Sequence, residues 1–388
     1  MKLHRVLLVG VAEALEAIFS RNQVAARELE RLFARNSKWG KRDRSFVAET
    51  TYEIVRWRRL LEFGAQRSEN WSLLAAQLVK SGQELPAWSE FSAFNGAQIR
   101  ARLESNDIPR PIRASIPDWL DELGEEEMGA HWDAEIQALN AEAPVVLRAN
   151  TLKISRDNLR NRLRDAEMET EAIADLPDAL RLQTRRSIAH LPLYKEGFFE
   201  FQDGASQLVA PFLEVESGMK ILDACAGAGG KSLHLAALMK NRGHIVASDA
   251  GAEKLIELRR RAARNGVSCL ETRPPDKLRG EFERVLIDAP CSGLGTLRRQ
   301  PGLKWRLTPE FLAQIQAKQR EILEFYAPMT QIGGKLVYAT CSILPSENER
   351  QIEWFLAQNP GWELEEQKSI SVAETGFDGF YMARLKRS

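Results

Sequence analysis

Two cysteines, Cys291 and Cys341, are the residues of this chain best suited to covalent chemistry. Each follows a run of apolar and β-branched residues, Arg284–Asp288 and Lys335–Ala339, of the kind that a strand buried on both faces requires. Thiols placed just past the carboxyl ends of two parallel strands open into the crevice where α/β sheets bind their ligands. The pattern therefore predicts a site with two thiols, and it favours nucleophilic catalysis over packing.

A glycine-rich loop precedes these strands, between a strand predicted at 221–225 and a helix predicted at 231–239. Small residues let the backbone pass close to a ligand, and the helix start offers free N–H groups. The loop matches neither the dinucleotide fingerprint nor the Walker pattern. The next strand ends in Asp249, whose carboxylate can accept hydrogen bonds from both hydroxyls of a ribose. These features predict a nucleoside-bearing cofactor, and S-adenosylmethionine fits them better than NAD.

The cysteines and this cofactor suit one reaction in particular. Carbon 5 of a pyrimidine is a poor nucleophile, but a thiolate that adds to carbon 6 makes the ring an enamine, and carbon 5 can then attack a methyl group. The carbon-5 proton must afterwards leave and the thiol must be eliminated. Such chemistry needs one nucleophilic Cys, a nearby carboxylate and a base. Asp288, Cys291 and Cys341 supply these groups, and spacing alone leaves the two cysteines interchangeable.

Size and composition narrow the class of protein. A chain of 388 residues exceeds one ordinary core, and its formal net charge of zero argues against a surface coated in positive potential, while leaving room for a local basic face. The four cysteines form no C-x-x-C pair and no His lies at ligand spacing, so no metal is expected. No apolar run approaches the ~20 residues of a membrane helix. A cytoplasmic monomer with no membrane association is expected.

The chain divides into three predicted regions. Residues 1–140 have helical periodicity, 141–212 form a small α+β subdomain, and 213–388 alternate strands and helices as in a doubly wound sheet. Within the helical region, residues 35–59 carry eight basic and three acidic side chains, with Trp39 and Trp57 interleaved. This composition suits RNA binding through phosphate contact and base stacking. It equally suits a solvated helical face over core tryptophans.

Long segments resemble the RNA cytosine-C5 methyltransferases, and the bacterial Sun-type (RsmB-like) branch in particular. Asp288–Trp305 resembles the fourth motif of that family and Tyr338–Glu349 the sixth. Arg148–Leu152, Gln202–Ser206 and Asp378–Ala383 are similar to further segments, and the helical region resembles a NusB-type RNA-binding domain. The resemblance implies an α/β fold, with a Rossmann-like class I methyltransferase domain that uses S-adenosylmethionine. It also implies an RNA substrate, 16S ribosomal RNA above all.

The resemblance also assigns roles to residues. It makes Cys341 the nucleophile that adds to carbon 6 and Cys291 the thiol that assists release, and it places Asp288 beside the cofactor and the cytosine ring. The cofactor residues implied are Cys225, Ala226, Gly227, Ala228, Gly229, Gly230, Lys231, Asp249 and Asp288. Basic residues that would naturally meet phosphate lie just after the Cys291 loop or in the helical region, and they are Arg298, Arg299, Lys304, Arg42 and Arg44.

Some positions depart from the family pattern, and other functions fit parts of the sequence. The third strand of the sheet ends near Arg273, where the family commonly has an acid near the adenine, so Asp276 or backbone packing would have to substitute. A tRNA substrate would use the same chemistry. A non-catalytic RNA-binding assembly factor would need none of Asp288, Cys291 and Cys341. A methyltransferase of proteins or small molecules would leave the cysteines unexplained.

Overall fold

The computed structural model describes residues 3–184 and 186–388, which form two compact units. The first comprises the residues up to Asn140 together with Arg299–Thr308. The second comprises Ala141–Arg298 and Pro309–Ser388. The three-region division of the sequence stays a prediction, but it did not foresee that a segment just after the Cys291 loop belongs to the helical unit.

The first unit is built from helices around an apolar core. Leu8, Val11 and Leu15 on the first helix are fully buried, as are Ile54 and Leu61, in keeping with the three- and four-residue spacing of apolar residues. The helices are α1 (Arg5–Phe19), α2 (Ala25–Arg35), α3 (Lys41–Arg56), α4 (Arg58–Ala65), α5 (Asn70–Lys80), α6 (Gly96–Leu103), α7 (Arg110–Arg113), α8 (Asp118–Met128) and α9 (Trp132–Leu139).

The segment Arg299–Thr308 is anchored in this helical unit by buried polar groups. Lys304 is 1% exposed, and its Nζ donates hydrogen bonds to the Arg56 carbonyl at 2.9 Å and to Asn140 Oδ1 at 3.1 Å. Trp305 Nε1 donates to the Val55 carbonyl at 2.6 Å. Burial, and then the nearby Arg56, lower the pKa of Lys304 well below its usual value.

A small four-stranded sheet opens the second unit. Its strands are β1 (Val146–Ala149), β2 (Thr170–Ala172), β3 (Ala179–Leu182) and β4 (Phe199–Phe201), in the antiparallel order β2-β3-β1-β4. Leu147, Leu159 and Phe199 are fully buried in its core. Helices α10 (Arg156–Asp165), α11 (Pro192–Lys195) and α12 (Gly204–Phe212) accompany it. Ser155 caps α10 and Asp203 caps α12, each through its side-chain oxygen.

A seven-stranded sheet forms the rest of the second unit and confirms the α/β fold class. The strand order is β10-β11-β9-β8-β5-β6-β7. β9, β8, β5, β6 and β7 are parallel, and β11 pairs antiparallel with both β9 and β10. The strands are β5 (Lys220–Asp223), β6 (His244–Ala247), β7 (Leu270–Thr272), β8 (Phe282–Asp288), β9 (Thr330–Thr340), β10 (Trp362–Ile370) and β11 (Phe380–Arg387). The helices are α13 (Gly230–Leu238), α14 (Ala252–Asn265), α15 (Pro309–Tyr326), α16 (Glu349–Gln358) and α17 (Val372–Thr375).

The register of β8 and β9 brings the two cysteine segments together. Asp288 on β8 pairs with Ala339 on β9, and the Ala289 N–H continues the ladder by donating to the Ala339 carbonyl at 2.8 Å. Because the strands are parallel and in step, the loops that follow them leave the sheet at the same edge. Adjacent strand ends therefore place Cys291 and Cys341 side by side.

None of the helices in the described ranges combines the length and apolar character that crossing a bilayer demands. In the same ranges, no group of three or more His, Cys, Asp and Glu side chains is arranged to hold a metal ion.

Candidate active site

The two sulfurs of the predicted thiol pair lie within hydrogen-bonding distance. Cys291 Sγ and Cys341 Sγ are 3.4 Å apart. The loop that carries Cys291 is tied to the other loop, because the Gly295 N–H donates to the Cys341 carbonyl at 2.9 Å. A Cβ on Gly295 would lie 2.1 Å from the Gly379 carbonyl oxygen, so only glycine permits this approach. The sequence-based prediction of a paired-thiol site agrees with this geometry.

The surroundings of Cys291 favour its protonated form. The hydrogen bond with Cys341 raises the pKa of Cys291 well above its usual value, as do burial and the nearby charge of Glu347. The protonated form of Cys291 is therefore favoured, and either sulfur can donate the hydrogen bond that joins the two. The roles that the resemblance assigns to the two cysteines stay a prediction.

A buried carboxylate, Glu347, fixes the residues that follow both cysteines. Its Oε1 accepts hydrogen bonds from the Ser292 N–H at 2.7 Å and from Gln319 Nε2 at 3.1 Å. Its Oε2 accepts from Ser292 Oγ at 2.5 Å and from Ser342 Oγ. Burial raises the pKa of Glu347, and these donors oppose that shift. Four donors fill the acceptor positions of a carboxylate, so the group joins the two loops at one point.

The turn after β9 is held by further buried hydrogen bonds. Thr340 Oγ1 donates to Asn348 Oδ1 at 2.5 Å, and Asn348 Nδ2 donates to the Ser342 carbonyl at 3.1 Å. The Tyr338 hydroxyl donates to the Glu347 carbonyl at 2.8 Å. These contacts keep Glu347 and the Cys341 loop in one arrangement.

The glycine-rich loop between β5 and α13 is shaped by Asp249. Its Oδ2 accepts from the Gly227 N–H at 2.9 Å and its Oδ1 from the Gly251 N–H at 2.8 Å. Gly229 has φ of 90°, and a Cβ there would lie 2.7 Å from Leu258 Cγ. Only glycine fits this position without strain. The carboxylate assigned to ribose binding thus also defines the conformation of the loop.

The loop has room and polar groups for a cofactor. A Cβ built on Gly227 or Gly230 meets no atom within 4 Å, so the space beside these residues is open. Asp223 Oδ1 is buried and has no hydrogen-bond partner in the described residues. Burial raises the pKa of Asp223 to about 7, although the Ser232 hydroxyl donates to its Oδ2 at 2.6 Å. The open space can admit a ligand, and the Asp223 acceptor without a partner suits a ligand that bears a cationic group.

An ion pair joins this loop to the thiol site. Lys231 Nζ, in the first turn of α13, donates to Asp288 Oδ2 at the end of β8 at 2.7 Å. Asp288 remains partly exposed, with 31% of its side-chain surface accessible. The ion pair between Lys231 and Asp288 therefore connects the cofactor loop to the strand end that precedes Cys291. The same loop also holds Cys225, whose pKa is raised by burial, which makes it a poor nucleophile.

Two arginines outside the glycine-rich loop donate hydrogen bonds to its main-chain carbonyls. Arg261 on α14 donates to the Ala228 carbonyl at 2.8 Å, and its other nitrogen donates to Glu200 at 2.8 Å. Arg148 on β1 donates to the Gly230 carbonyl at 3.2 Å. Burial lowers the pKa of Arg148 to about 10. Arg148 and Glu200 are register partners on β1 and β4, so the small sheet supports the cofactor loop.

The basic residues predicted to meet phosphate separate into two groups. The prediction does not hold for Arg298 and Lys304, because both are buried and their cations serve protein acceptors. Arg298 donates to the carbonyls of Gly376 at 2.8 Å, Phe377 at 3.2 Å and Glu142 at 3.1 Å. Arg42 and Arg299 are exposed.

Phosphate contact stays a prediction for Arg42, Arg44 and Arg299. Arg44 is half-buried and donates to the Trp39 carbonyl at 2.9 Å.

At the end of β7, the strand near which the family commonly has an acid, Glu271 pairs with Arg273 at 2.5 Å and lies 3.0 Å from His244 Nε2. Asp276 is exposed, and the adenine contact in this region stays a prediction.

Several residues of the site were not predicted from the sequence. Glu347 and Gln319 hold the cysteine loops, and Arg261 and Glu200 hold the cofactor loop. A weak signal was present, because each of the two cysteines is followed by a serine and one acid follows Cys341 within six residues. No sequence pattern pointed to Arg261, whose partner Glu200 lies 61 residues away.

Comparison with known proteins confirms the resemblance noted in the sequence. Residues 210–386 match the family described as "16S rRNA methyltransferase RsmB/F", and residues 116–189 match the "Methyltr_RsmF/B-like, ferredoxin-like domain". A curated relative from Synechocystis, named "Probable ribosomal RNA small subunit methyltransferase B", is 36% identical over 74% of this chain and 70% of its own length.

Two solved structures share the fold. The crystal structure of PH0851 superposes with a TM-score of 0.82 at 23% identity and covers 100% of both chains. The crystal structure of NSun6 from Pyrococcus horikoshii with SFG has a TM-score of 0.65 at 20% identity and covers 70% of this chain and 98% of that one. At these identities the likeness establishes the fold alone.

We expect Glu347→Gln to lower the single-turnover rate of methyl transfer about 100-fold, because an amide cannot accept from all four donors and the two sulfurs lose their alignment. Rapid-quench assays with saturating RNA and cofactor measure this rate. Glu353→Gln, on the exposed face of α16, is the matched control and should keep the wild-type rate. Unchanged cofactor affinity would separate misalignment from general unfolding. A Glu347→Gln enzyme with the wild-type rate would contradict this role.

Proposed function

Because the chain belongs to the 16S rRNA methyltransferase RsmB/F family, we propose that it methylates carbon 5 of a cytosine in RNA of the small ribosomal subunit. Enzymes of this family use S-adenosylmethionine. The observation that carries the proposal is the 3.4 Å separation of Cys291 Sγ and Cys341 Sγ at the ends of neighbouring strands, beside Asp288. An RNA-binding factor without catalysis would have no use for this arrangement.

The glycine-rich loop from Cys225 to Lys231 and Asp249 are the groups that would hold the cofactor. S-adenosylmethionine supplies an electrophilic methyl group, carried on a positively charged sulfur. The open space beside Gly227 and Gly230 and the acceptor of Asp223 that lacks a partner fit such a ligand. Lys231 and Asp288 link this loop to the thiol pair, so the bound cofactor and the cytosine would lie at one strand edge.

Cys341 is the proposed nucleophile. A lone pair of its thiolate sulfur forms the bond to carbon 6 of the cytosine. The electrons of the carbon 5–carbon 6 double bond then become available at carbon 5 for methylation. Asp288, whose carboxylate is fixed by Lys231, would steady the cytosine ring during this change. The hydrogen bond between Cys291 and Cys341 orients the sulfur that attacks.

Cys291 would assist release of the product. After methylation, carbon 5 carries both a proton and the methyl group. Water takes that proton, the carbon 5–carbon 6 double bond forms again, and the electrons of the carbon 6–sulfur bond return to Cys341. The raised pKa of Cys291 means that it still carries a proton with which to stabilise the departing thiolate of Cys341.

The substrate must present its cytosine outside a base stack, because carbon 6 is shielded within a helix. We therefore propose an unpaired or flipped cytosine as the target. We also propose that the enzyme works in the cytoplasm and as a monomer. Arg42, Arg44 and Arg299 are the predicted phosphate contacts that remain.

We expect Arg261→Met to weaken S-adenosylmethionine binding about tenfold, because the Ala228 carbonyl loses its charged donor and the loop loosens. Isothermal titration calorimetry measures this dissociation constant. The neighbouring Arg260→Met is the matched control, since that side chain is 82% exposed and pairs with Glu257 on the helix surface. The KM for RNA should not change in either variant. Equal cofactor affinity in the two variants would show that the hydrogen bond from Arg261 to the loop has no effect on cofactor binding.

The roles of the two cysteines are separated by their alanine variants. With RNA and S-adenosylmethionine, Cys291→Ala should accumulate a protein–RNA adduct that survives denaturing electrophoresis, because release is blocked. Cys341→Ala should form none. Cys269→Ala, which removes a thiol on the strand-entry side near β7, is the control and should methylate RNA without a lasting adduct. The reverse pattern would exchange the two roles. Absence of both methylation and adduct in the wild type would refute the proposed enzyme.

A further inference from the structure

The helical unit contains a cavity of about 140 Å³ that the proposed reaction does not use. One wall comes from the end of α1 and the start of α2, and another from Arg58 on α4. The segment anchored by Lys304 and Trp305 closes the cavity with residues 299–306. A cavity of about 150 Å³ in another protein holds benzene. The space therefore suits one planar ring of pyrimidine size.

Aromatic faces surround this space. Phe19, Tyr52 and Trp305 contribute to its lining. The Arg58 guanidinium lies 4.2 Å from the centroid of the Phe19 ring and 5.7 Å from that of Trp305. Arg58 is kept in place by Glu62, whose carboxylate accepts from its Nε at 2.9 Å. A flat cation held between two rings offers the kind of surface on which a nucleobase stacks.

The charged side chains that line the cavity are all positive among the described residues. Arg58, Arg299 and Arg306 all line the cavity, and no Asp or Glu is found among the described residues that do so. Asn22 and Gln300 add side-chain amides, which can hydrogen-bond to the edge of a base. Arginine forks recognise phosphate oxygens, and amides with aromatic faces recognise bases. Together these groups match the two parts of a nucleotide.

We propose that this cavity binds one unpaired nucleotide of the RNA substrate, distinct from the cytosine that is methylated. The base lies against Phe19, Trp305 and the Arg58 guanidinium, and Arg299 and Arg306 receive the adjoining phosphates. The inference rests on the proposed function in taking RNA as the ligand. It gives the buried anchors of the 299–308 segment a purpose, because Lys304 and Trp305 fix the wall on which the nucleotide rests.

The test measures the affinity of the full chain for a fluorescently labelled single-stranded RNA of about 12 nucleotides, within the footprint of common single-strand modules. Arg58→Met keeps the apolar stem and removes the cation, and it should raise the dissociation constant about tenfold, the effect of losing one stacked base. Phe19→Leu should have a similar effect. Arg306→Gln should lower the slope of log affinity against log salt by about 0.7, as one fewer phosphate contact does.

The matched control is Arg67→Met in the same unit, because Arg67 also lies over an aromatic ring, Phe94, at 5.6 Å but does not line the cavity. Its RNA affinity should equal that of the wild type. S-adenosylmethionine affinity and the melting temperature show whether each variant is folded. Wild-type RNA affinity in both folded Arg58→Met and Phe19→Leu would overturn the inference, even if the enzyme methylates RNA. Loss of methylation in the wild type would instead refute the proposed function.

Discussion

The carboxylate of Glu347 is the group on which the two-thiol site depends. The register of β8 and β9 brings two loops together, but holding two sulfurs 3.4 Å apart also requires that the loops themselves be fixed. Glu347 does so by accepting hydrogen bonds from the residue after each cysteine, Ser292 and Ser342. Burying a carboxylate is unfavourable unless its acceptor positions are filled, and here four donors fill them. The arrangement thus converts a strand edge into a fixed pair of thiols.

The same principle applies to the cofactor loop, whose shape is set by groups outside it. Asp249 accepts a hydrogen bond from the Gly227 N–H. Arg148 donates to the Gly230 carbonyl, and Arg261 donates to the Ala228 carbonyl. Hydrogen bonds of this kind hold a loop in one conformation before a ligand arrives. Because Arg148 and Glu200 belong to the four-stranded sheet, that sheet supports the site and is more than a linker.

The parts of the fold that were predictable are those in which burial dictates residue type. β8 and β9 are apolar because the sheet covers both of their faces, and they were recognised as strands. β10 was not recognised, since it is an edge strand with mostly exposed, charged residues and lacks the apolar alternation on which the prediction relied. Arg299–Thr308 belongs to the helical unit because of tertiary contacts, which local sequence patterns do not reveal.

The site shows a similar division. The cysteines, the glycine-rich loop and Asp288 were found because their types at strand ends suit few other purposes. Arg298 and Lys304 were misread as phosphate ligands, since the same cations also satisfy buried carbonyl groups and sequence does not report burial. The shift in the pKa of Cys291 could emerge only from the structure, because it arises from the contact with Cys341 and from burial, which are three-dimensional facts.

The central claim is that Cys341 forms the bond to carbon 6 while Cys291 keeps its proton beside it. RNA that contains 5-fluorocytosine tests this directly in the wild-type enzyme, since fluorine at carbon 5 cannot leave as a proton and the covalent complex cannot be resolved. Peptide mass spectrometry of the trapped complex identifies the linked residue. We predict a methylated, fluorinated cytosine attached to Cys341. Attachment to Cys291 would contradict the account.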